Sequence, residues 1–313
     1  MDSTAANSRK SYVLLATLAL IWGSSFILMR VGLSVYTPQQ IGCLRMLFAA
    51  VVMSPFLFSG FKSVQPRHWK YLLATGVFGN AIPSILFPLA QTGISSALAG
   101  MINTLTPIFT VLLGAAAFGM IVPRSSVYGL LTGFAGAIML IAGGNGTLHA
   151  SSPLYPFLVV AATVCYAISV NVLRHGLAGL HPLTITSFAL LFIGLPMGSY
   201  LLTTDFVART LNGLSQPATI SGNAMLSFNG ISPFALGLFA IFLLGVLGTA
   251  VSTVMFNRLI QLSGAMVASS VTYLIPLVAT CWGFSFGEKI EWLHLGGLAL
   301  VLTGVYLINQ RRG

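Results

Sequence analysis

The sequence predicts an all-α membrane protein whose ten transmembrane helices form two inverted five-helix repeats. Three observations predict it. Hydrophobic residues make up 56% of the 313 positions and charged residues only 6%. The apolar runs repeatedly reach the roughly 20 residues that a helix rising about 1.5 Å per residue needs to cross a bilayer. The chain also matches itself. Moving from Ser25 to Ser169, a shift of 144, carries Arg30 onto Arg174, Gly32 onto Gly176 and Pro38 onto Pro182. A shift of 169 carries Gly76 onto Gly245, Gly79 onto Gly248, Phe87 onto Phe256 and Pro107 onto Pro276. The longer shift in the later spans is accounted for by the polar segment from Thr204 to Ser232. A β-barrel is excluded, because strands of about 10 residues with alternating hydrophobicity are absent.

In chain order the predicted spans of the first copy are Tyr12 to Leu33, Pro38 to Phe58, Trp69 to Phe87, Ser95 to Phe118 and Ser125 to Ala142. Those of the second are Tyr155 to Arg174, Pro182 to Thr203, Pro233 to Arg258, Gly264 to Phe286 and Trp292 to Ile308. The copies are delimited as 1–143 and 152–313. Arg9 and Lys10 precede a first run too long for a cleavable signal, which is expected to stay as an anchor. Five spans per copy is odd, so the second copy runs upside down relative to the first. That arrangement suits a carrier, because two equivalent packings can exchange their openings around a midplane site.

Charge sets the expected orientation. With the N-terminus inside, the inner segments hold Arg9, Lys10, Lys62, Arg67, Lys70, Arg124, Arg174, Arg258, Arg311 and Arg312, against Arg30, Arg209 and Lys289 outside. Both termini are therefore expected in the cytoplasm. The net charge of +10 resides in loops and helix ends and gives no reason to expect nucleic acid. Cys43, Cys165 and Cys281 lie in apolar spans without metal-ligand spacing and read as small hydrophobes. Neither a cofactor nor a metal is expected.

Helical spacing selects candidate inward faces. Trp22, Ser25 and Met29 share one; Gly76, Asn80, Pro83 and Phe87 share another; Gly100, Asn103 and Pro107 a third. The second copy offers Tyr166 with Ser169, then Gly245, Thr249 and Ser252, then Ser269, Thr272, Tyr273 and Pro276. Two readings stand for these faces. Small residues and hydroxyls hold membrane helices together at about 0.6 kcal/mol per hydrogen bond, and the same residues can line a binding cavity. Trp22, Ser25, Asn80, Asn103, Tyr166, Ser169, Ser252, Thr272 and Tyr273 are the candidate binding residues.

Arg45 joins them as the one charge well inside a span. It is either satisfied by backbone carbonyls and water or draws a substrate carboxylate. Pro107 and Pro276 are candidate hinges, since each proline would free the carbonyl four residues earlier, at Asn103 and Thr272. Of the acids, Asp2, Asp205, Glu288 and Glu291 all fall in termini, loops or helix ends, so no carboxylate stands at the midplane. Smaller signals are Gly129-x-x-x-Gly133 with Gly136, suited to close helix packing, and a sequon at Asn145-Gly146-Thr147.

Several motifs fall in a fixed order within this duplicated chain. They are Trp22-Gly23-Ser24-Ser25-Phe26; Leu44-Arg45-Met46-Leu47-Phe48-Ala49-Ala50; Leu86-Phe87-Pro88-Leu89-Ala90 running into Ser95-Ser96-Ala97-Leu98-Ala99; Leu105-Thr106-Pro107-Ile108-Phe109; and Gly287-Glu288. On these the chain resembles the EamA-type branch of the drug/metabolite transporter superfamily over all ten spans. It departs from the pattern at Phe118-Gly119, where such families often carry an acid. The resemblance implies transport of amino acids, other metabolites or drugs through a central cavity, and export as the direction. Small multidrug exporters that resemble half of this fold use a buried Glu, which this chain lacks.

The resulting expectation is a secondary transporter exporting neutral or aromatic amino acids or similar small metabolites across a bacterial inner membrane by alternating access. Movement would be facilitated or by exchange rather than by carboxylate-based proton antiport. The alternative is a multidrug exporter of the same fold. An enzyme is disfavoured because the spans cluster no His, Asp, Glu or metal ligands, and a channel because no charged ring or carbonyl-rich filter is visible. The expected partners are a small-molecule substrate and the lipid bilayer, with the protein a monomer or weak homodimer.

Overall fold

A computed structural model describes residues 2–119, 124–142, 152, 154–215, 232–269, 271–288 and 290–309, and among them every regular element is helical. Seven helices are long and apolar enough to cross a membrane, and the shorter apolar stretches Val127–Ile141, Val271–Ser285 and Trp292–Leu307 complete ten. The first copy comprises Asp2–Leu33, Pro38–Met53, Pro66–Gln91, Ser96–Phe118 and Arg124–Ala142. The second comprises Leu154–Gly176, Pro182–Leu201, a path from Pro233–Gly245 through Val246–Val251 to Ser252–Ser269, then Val271–Ser285 and Trp292–Asn309.

Local chemistry explains several ends. Thr37 closes a capping box on the second span: its hydroxyl accepts from the Gln40 amide at 3.2 Å, and Gln40 Oε1 accepts from the Thr37 amide at 3.1 Å. The fourth and ninth spans both finish on a left-handed glycine, Gly119 at φ 64° and Gly287 at φ 75°. These occupy equivalent places in the two copies and adopt a backbone that a Cβ would disfavour.

Several bounds differ from expectation, among them the ninth span, which begins at Val271 rather than Gly264 because the residues before it belong to the eighth path. The second span stops at Met53 rather than Phe58, because Pro55 follows and the chain passes through short 3₁₀ turns. Helix in the eighth path continues beyond Arg258 to Ser269, since the stretch contains no proline and an isolated glycine such as Gly264 costs only about 1 kcal/mol in a helix. The polar segment after Thr203 is partly helical: Phe206–Ser215 lies against Tyr36, whose ring meets Phe206 at 5.7 Å and Phe234 at 5.8 Å. Thr210 Oγ1 donates to the Tyr36 hydroxyl at 3.3 Å, and burial pushes this phenol above its usual pKa. The sequon at Asn145 lies outside the described residues.

The two copies meet through glycines placed in corresponding spans. A Cβ built on Gly194 would fall 2.8 Å from the Met46 carbonyl oxygen, so the second and seventh spans touch backbone to backbone. The fifth and tenth spans do the same twice. A Cβ on Gly136 would lie 2.7 Å from Gly297 O, and one on Gly304 would lie 2.5 Å from Gly129 O. The Gly129-x-x-x-Gly133 stripe therefore packs within the chain, where small residues let helices approach closely enough for dispersion to hold them. The third span meets the seventh through Gly76 and Ala189 O, and the eighth meets the second through the equivalent pair, Gly245 and Arg45 O.

Candidate functional site

The third and eighth spans each contain one wide turn. Val77–Ala81 and Val246–Val251 are π-helical, and they fall on the matching sequences Gly76-Val77-Phe78-Gly79-Asn80-Ala81 and Gly245-Val246-Leu247-Gly248-Thr249-Ala250. A π turn admits an additional residue and weakens the local ladder, and it is frequent at functional sites. In both copies a side chain bonds the backbone five residues back. Asn80 Nδ2 reaches Thr75 O at 3.5 Å, and Thr249 Oγ1 donates to Leu244 O at 3.1 Å. Asn80 and Thr249 are equivalent under the internal repeat, as are Thr75 and Leu244.

Between these turns lies a cavity of about 150 Å³. Its wall is largely paired by the repeat. Trp22 has Tyr166 as its mate, Ser25 has Ser169, and Phe26 has Val170. Met29 answers Leu173, Gly79 answers Gly248, and Asn80 answers Thr249. Phe87 answers Phe256, Asn103 answers Thr272, and Thr106 answers Ile275. The wall residues left over are Arg45, Thr75, Thr253 and Asn257, whose repeat mates are Ala189, Leu244, Ser84 and Pro88. The shape is thus nearly symmetric, while the polarity is not.

Aromatic rings form much of the wall. The Trp22 ring lies 5.2 Å from Phe256, Phe26 meets Phe87 edge-on at 5.7 Å, and Phe87 stacks on Tyr166 at 5.9 Å. Trp22 Nε1 donates to Ser252 Oγ at 2.9 Å and reaches Gly248 O at 3.2 Å, which fixes the indole against the wide turn of the eighth span. Arg45 is 8% exposed; its Nε donates to Thr249 Oγ1 at 2.6 Å and its Nη2 approaches Gly248 O at 3.4 Å. Asn257 Nδ2 donates to Thr186 Oγ1 at 3.2 Å.

Of the sequence-selected residues, the structure brings Trp22, Ser25, Arg45, Asn80, Asn103, Tyr166, Ser169 and Thr272 to the cavity wall. Two stand elsewhere. Ser252 is wholly buried behind Trp22 and serves as its acceptor, and Tyr273 packs among the partly buried residues of the main core. The other corrections follow from the wide turns. A regular 3.6-residue period puts Gly76, Asn80, Pro83 and Phe87 on one face, but the additional residue rotates Gly76 onto the seventh span and brings Thr75 and Gly79 to the cavity. Likewise Gly245 packs on the second span. Gly100, in a span without such a turn, packs on Ala279. The side chain of Ser269 lies outside the described residues.

Missed wall residues include Phe26, Thr106, Phe256 and Asn257. Phe256 was detectable as the repeat mate of Phe87, and Phe26 as the residue one turn beyond Trp22.

The candidate hinges also differ in form. Pro107 opens the helix Thr106–Phe118 after a 3₁₀ turn, Asn103–Leu105, so it begins a helix rather than bending one. The Asn103 carbonyl accepts from Thr106 Oγ1 at 2.9 Å. Pro276 does lie inside its helix, Val271–Ser285.

The end of the bundle that carries Arg30 is cross-tied. Arg30 Nη1 pairs with Glu288 Oε1, and Glu288 also accepts from the amides of Ser96 and Ala97, each at 3.0 Å. One carboxylate thereby joins the first, fourth and ninth spans. The sequence places Arg30 on the outer side; what it does not reveal is the partner 258 residues away. Trp282 Nε1 donates to Ser24 Oγ at 2.8 Å, and Gln91 Nε2 to Phe26 O at 3.1 Å, adding two further ties around the first span. Among the described residues, no group of three or more His, Cys, Asp or Glu is placed to hold a metal.

Known proteins share this architecture. A solved crystal structure superposes with a TM-score of 0.59 at 17% identity over 95% of each chain, a likeness of fold. The chain is 26% identical to the uncharacterized inner membrane transporter YedA of Escherichia coli (strain K12), over 95% of this chain and 92% of the relative. It is 25% identical to the probable terminal-alkyne amino-acid exporter of Streptantibioticus cattleyicolor, over 93% and 90%. The model of the EamA-like transporter family matches residues 9–142 and again 154–310. Two successive matches, on a bundle whose halves repeat and whose cavity wall pairs across that repeat, place this chain in the EamA-like transporter family.

Proposed function

We propose that this transporter exports amino acids or metabolites of similar size and amphipathic character across a bacterial inner membrane. The paired cavity wall is the observation that carries the reading. A site whose walls come in equivalent pairs from two inverted copies can be presented to either side with little change in its own contacts, which is the requirement of alternating access. A cavity of about 150 Å³ is of the size that takes a small apolar group such as benzene, which matches the apolar part of such a solute. The exporter named among the relatives supports an amino-acid-like substrate.

In this reading the copies are 1–143 and 152–313, both termini are cytoplasmic, and the Arg30 end faces outward. Trp22, Phe87 and Tyr166 enclose the apolar part of the solute, while Ser25, Asn80, Asn103, Ser169 and Thr272 meet its polar groups. Ser252 and Tyr273 act from behind the wall. With the four acids of the chain placed in termini, loops or helix ends, movement follows the solute gradient or exchange.

The test is efflux of labelled amino acids from proteoliposomes, with and without an imposed pH gradient. Selective efflux that ignores the gradient and falls in Trp22→Ala and Asn103→Ala is expected. Saturable, pH-driven exchange of cationic dyes without amino-acid flux would overturn the reading in favour of multidrug export, for which the aromatic wall is the favouring feature.

A further inference from the structure

Arg45 breaks the symmetry of the cavity in the most expensive way available. Its repeat mate is Ala189, so half of the site carries a guanidinium where the other half carries a methyl group. A charge at this depth is costly unless it is paired or wetted. Its contacts leave it largely unspent: of the five donors on a guanidinium, one goes to Thr249 Oγ1 and one approaches Gly248 O at 3.4 Å. Both partners are neutral, and no Asp or Glu is among the described residues that line the cavity. Asp205 bonds Gln40, and Glu288 bonds Arg30 and two amides. The acids that could neutralise Arg45 are committed elsewhere or lie in the first helical turn or a loop.

The surroundings hold this cation in place. Thr249 is set by the wide turn of the eighth span, where its hydroxyl also donates to Leu244 O. Arg45 and Tyr166 line the same cavity, and Tyr166 is the other ionisable side chain of its wall. Guanidinium and phenol together present a fixed cation and a hydroxyl donor, a combination that suits two oxygens of a planar anion.

We propose that Arg45, with the Tyr166 hydroxyl of the same wall, binds a carboxylate of the transported solute, so that the cavity selects anions and zwitterions and rejects organic cations. This deepens the metabolite-export reading and rests on the same cavity. An entering carboxylate supplies the negative charge that the wall lacks. An entering ammonium without one places two cations in a small low-dielectric space, where repulsion is strong.

The experiment measures binding apart from transport. Purified protein is titrated with L-phenylalanine, L-leucine, their primary amides and tetraphenylphosphonium, using thermal shift, and the same compounds are tried as competitors of efflux. The expected result is that each amino acid binds roughly tenfold or more tightly than its amide, as loss of one charge-assisted contact implies. Discrimination should collapse to about onefold in Arg45→Gln, persist in part in Arg45→Lys, and fall severalfold in Tyr166→Phe. Carboxylate-dependent stabilisation without any flux would uphold the anion site and sink the export reading. Amides or tetraphenylphosphonium binding as tightly as the carboxylates would overturn the anion site, as would discrimination surviving in Arg45→Gln or no binding by either amino acid. A purely structural Arg45 would lower the melting temperature in Arg45→Gln while leaving the carboxylate-to-amide ratio unchanged, which also counts against the proposal.

Discussion

Gly79 lies so close to Ser169 that a Cβ built on the glycine would stand 2.4 Å from the serine Oγ. The repeat copies this contact with the roles exchanged: a Cβ on Gly248 would stand 2.9 Å from Ser25 Oγ. Each pair joins the wide turn of one copy to the first span of the other, at the wall of the cavity. The halves are therefore in contact where rearrangement would have to occur, and no side chain intervenes.

Gly79→Ala should reduce transport strongly and lower stability by about 1–3 kcal/mol, the usual cost of overpacking. Gly248→Ala should act in the same direction but less, given its longer distance. Pairing Gly79→Ala with Ser169→Gly should restore part of both losses. Thermal melting in detergent alongside efflux measures this; an additive double variant would show that the two residues do not contact one another in the working protein.

The side-chain bonds that span the wide turns make a second prediction. Replacing Asn80 with Leu removes the donor to Thr75 O and should cost about 1 kcal/mol. Replacing Thr249 with Val removes both the bond to Leu244 O and the acceptor for Arg45 Nε, so it should cost more and disturb carboxylate selectivity, which Asn80→Leu should spare. Melting curves and the carboxylate-to-amide ratio, measured on both variants, separate the two effects.

Glu288→Gln should destabilise the end that carries Arg30. Its carboxylate side chain is 3% exposed and meets Arg30 and two backbone amides, so losing the charge weakens every contact it makes. A drop of about 1.5–3 kcal/mol follows from charge-assisted hydrogen bonds of this kind. With Gly119 matching Gly287, the position that matches Glu288 is Met120, with no acid. Labelling of single cysteines placed along the first span, from the Arg30 side, should therefore quicken in Glu288→Gln; unchanged labelling would show that the ion pair does not hold that end shut.

Pro107→Ala and Pro276→Ala should slow transport with little loss of stability. Pro107 prevents the 3₁₀ turn Asn103–Leu105 from merging into a continuous helix, and Pro276 removes a hydrogen bond within its own. If both variants carry out efflux at the wild-type rate, the hinge role is lost.

The sequence by itself determined the class, the number of spans and the duplication, because hydrophobic run length and matched Gly, Ser and Pro positions are local properties of the chain. It also named half of the wall, and there Trp22 and Tyr166, and Ser25 and Ser169, come from spans whose helical period is regular. The tertiary structure alone decided where that period fails. One additional residue in a turn shifts the faces before and after it against one another, so Thr75 joins Gly79, Asn80 and Phe87 at the cavity while Gly76 packs on a neighbouring helix. It also decided the long-range partners. Arg30 finds Glu288 and Arg45 finds Thr249 through the packing of two inverted copies, and no sequence spacing records which side chains such packing brings within hydrogen-bond distance.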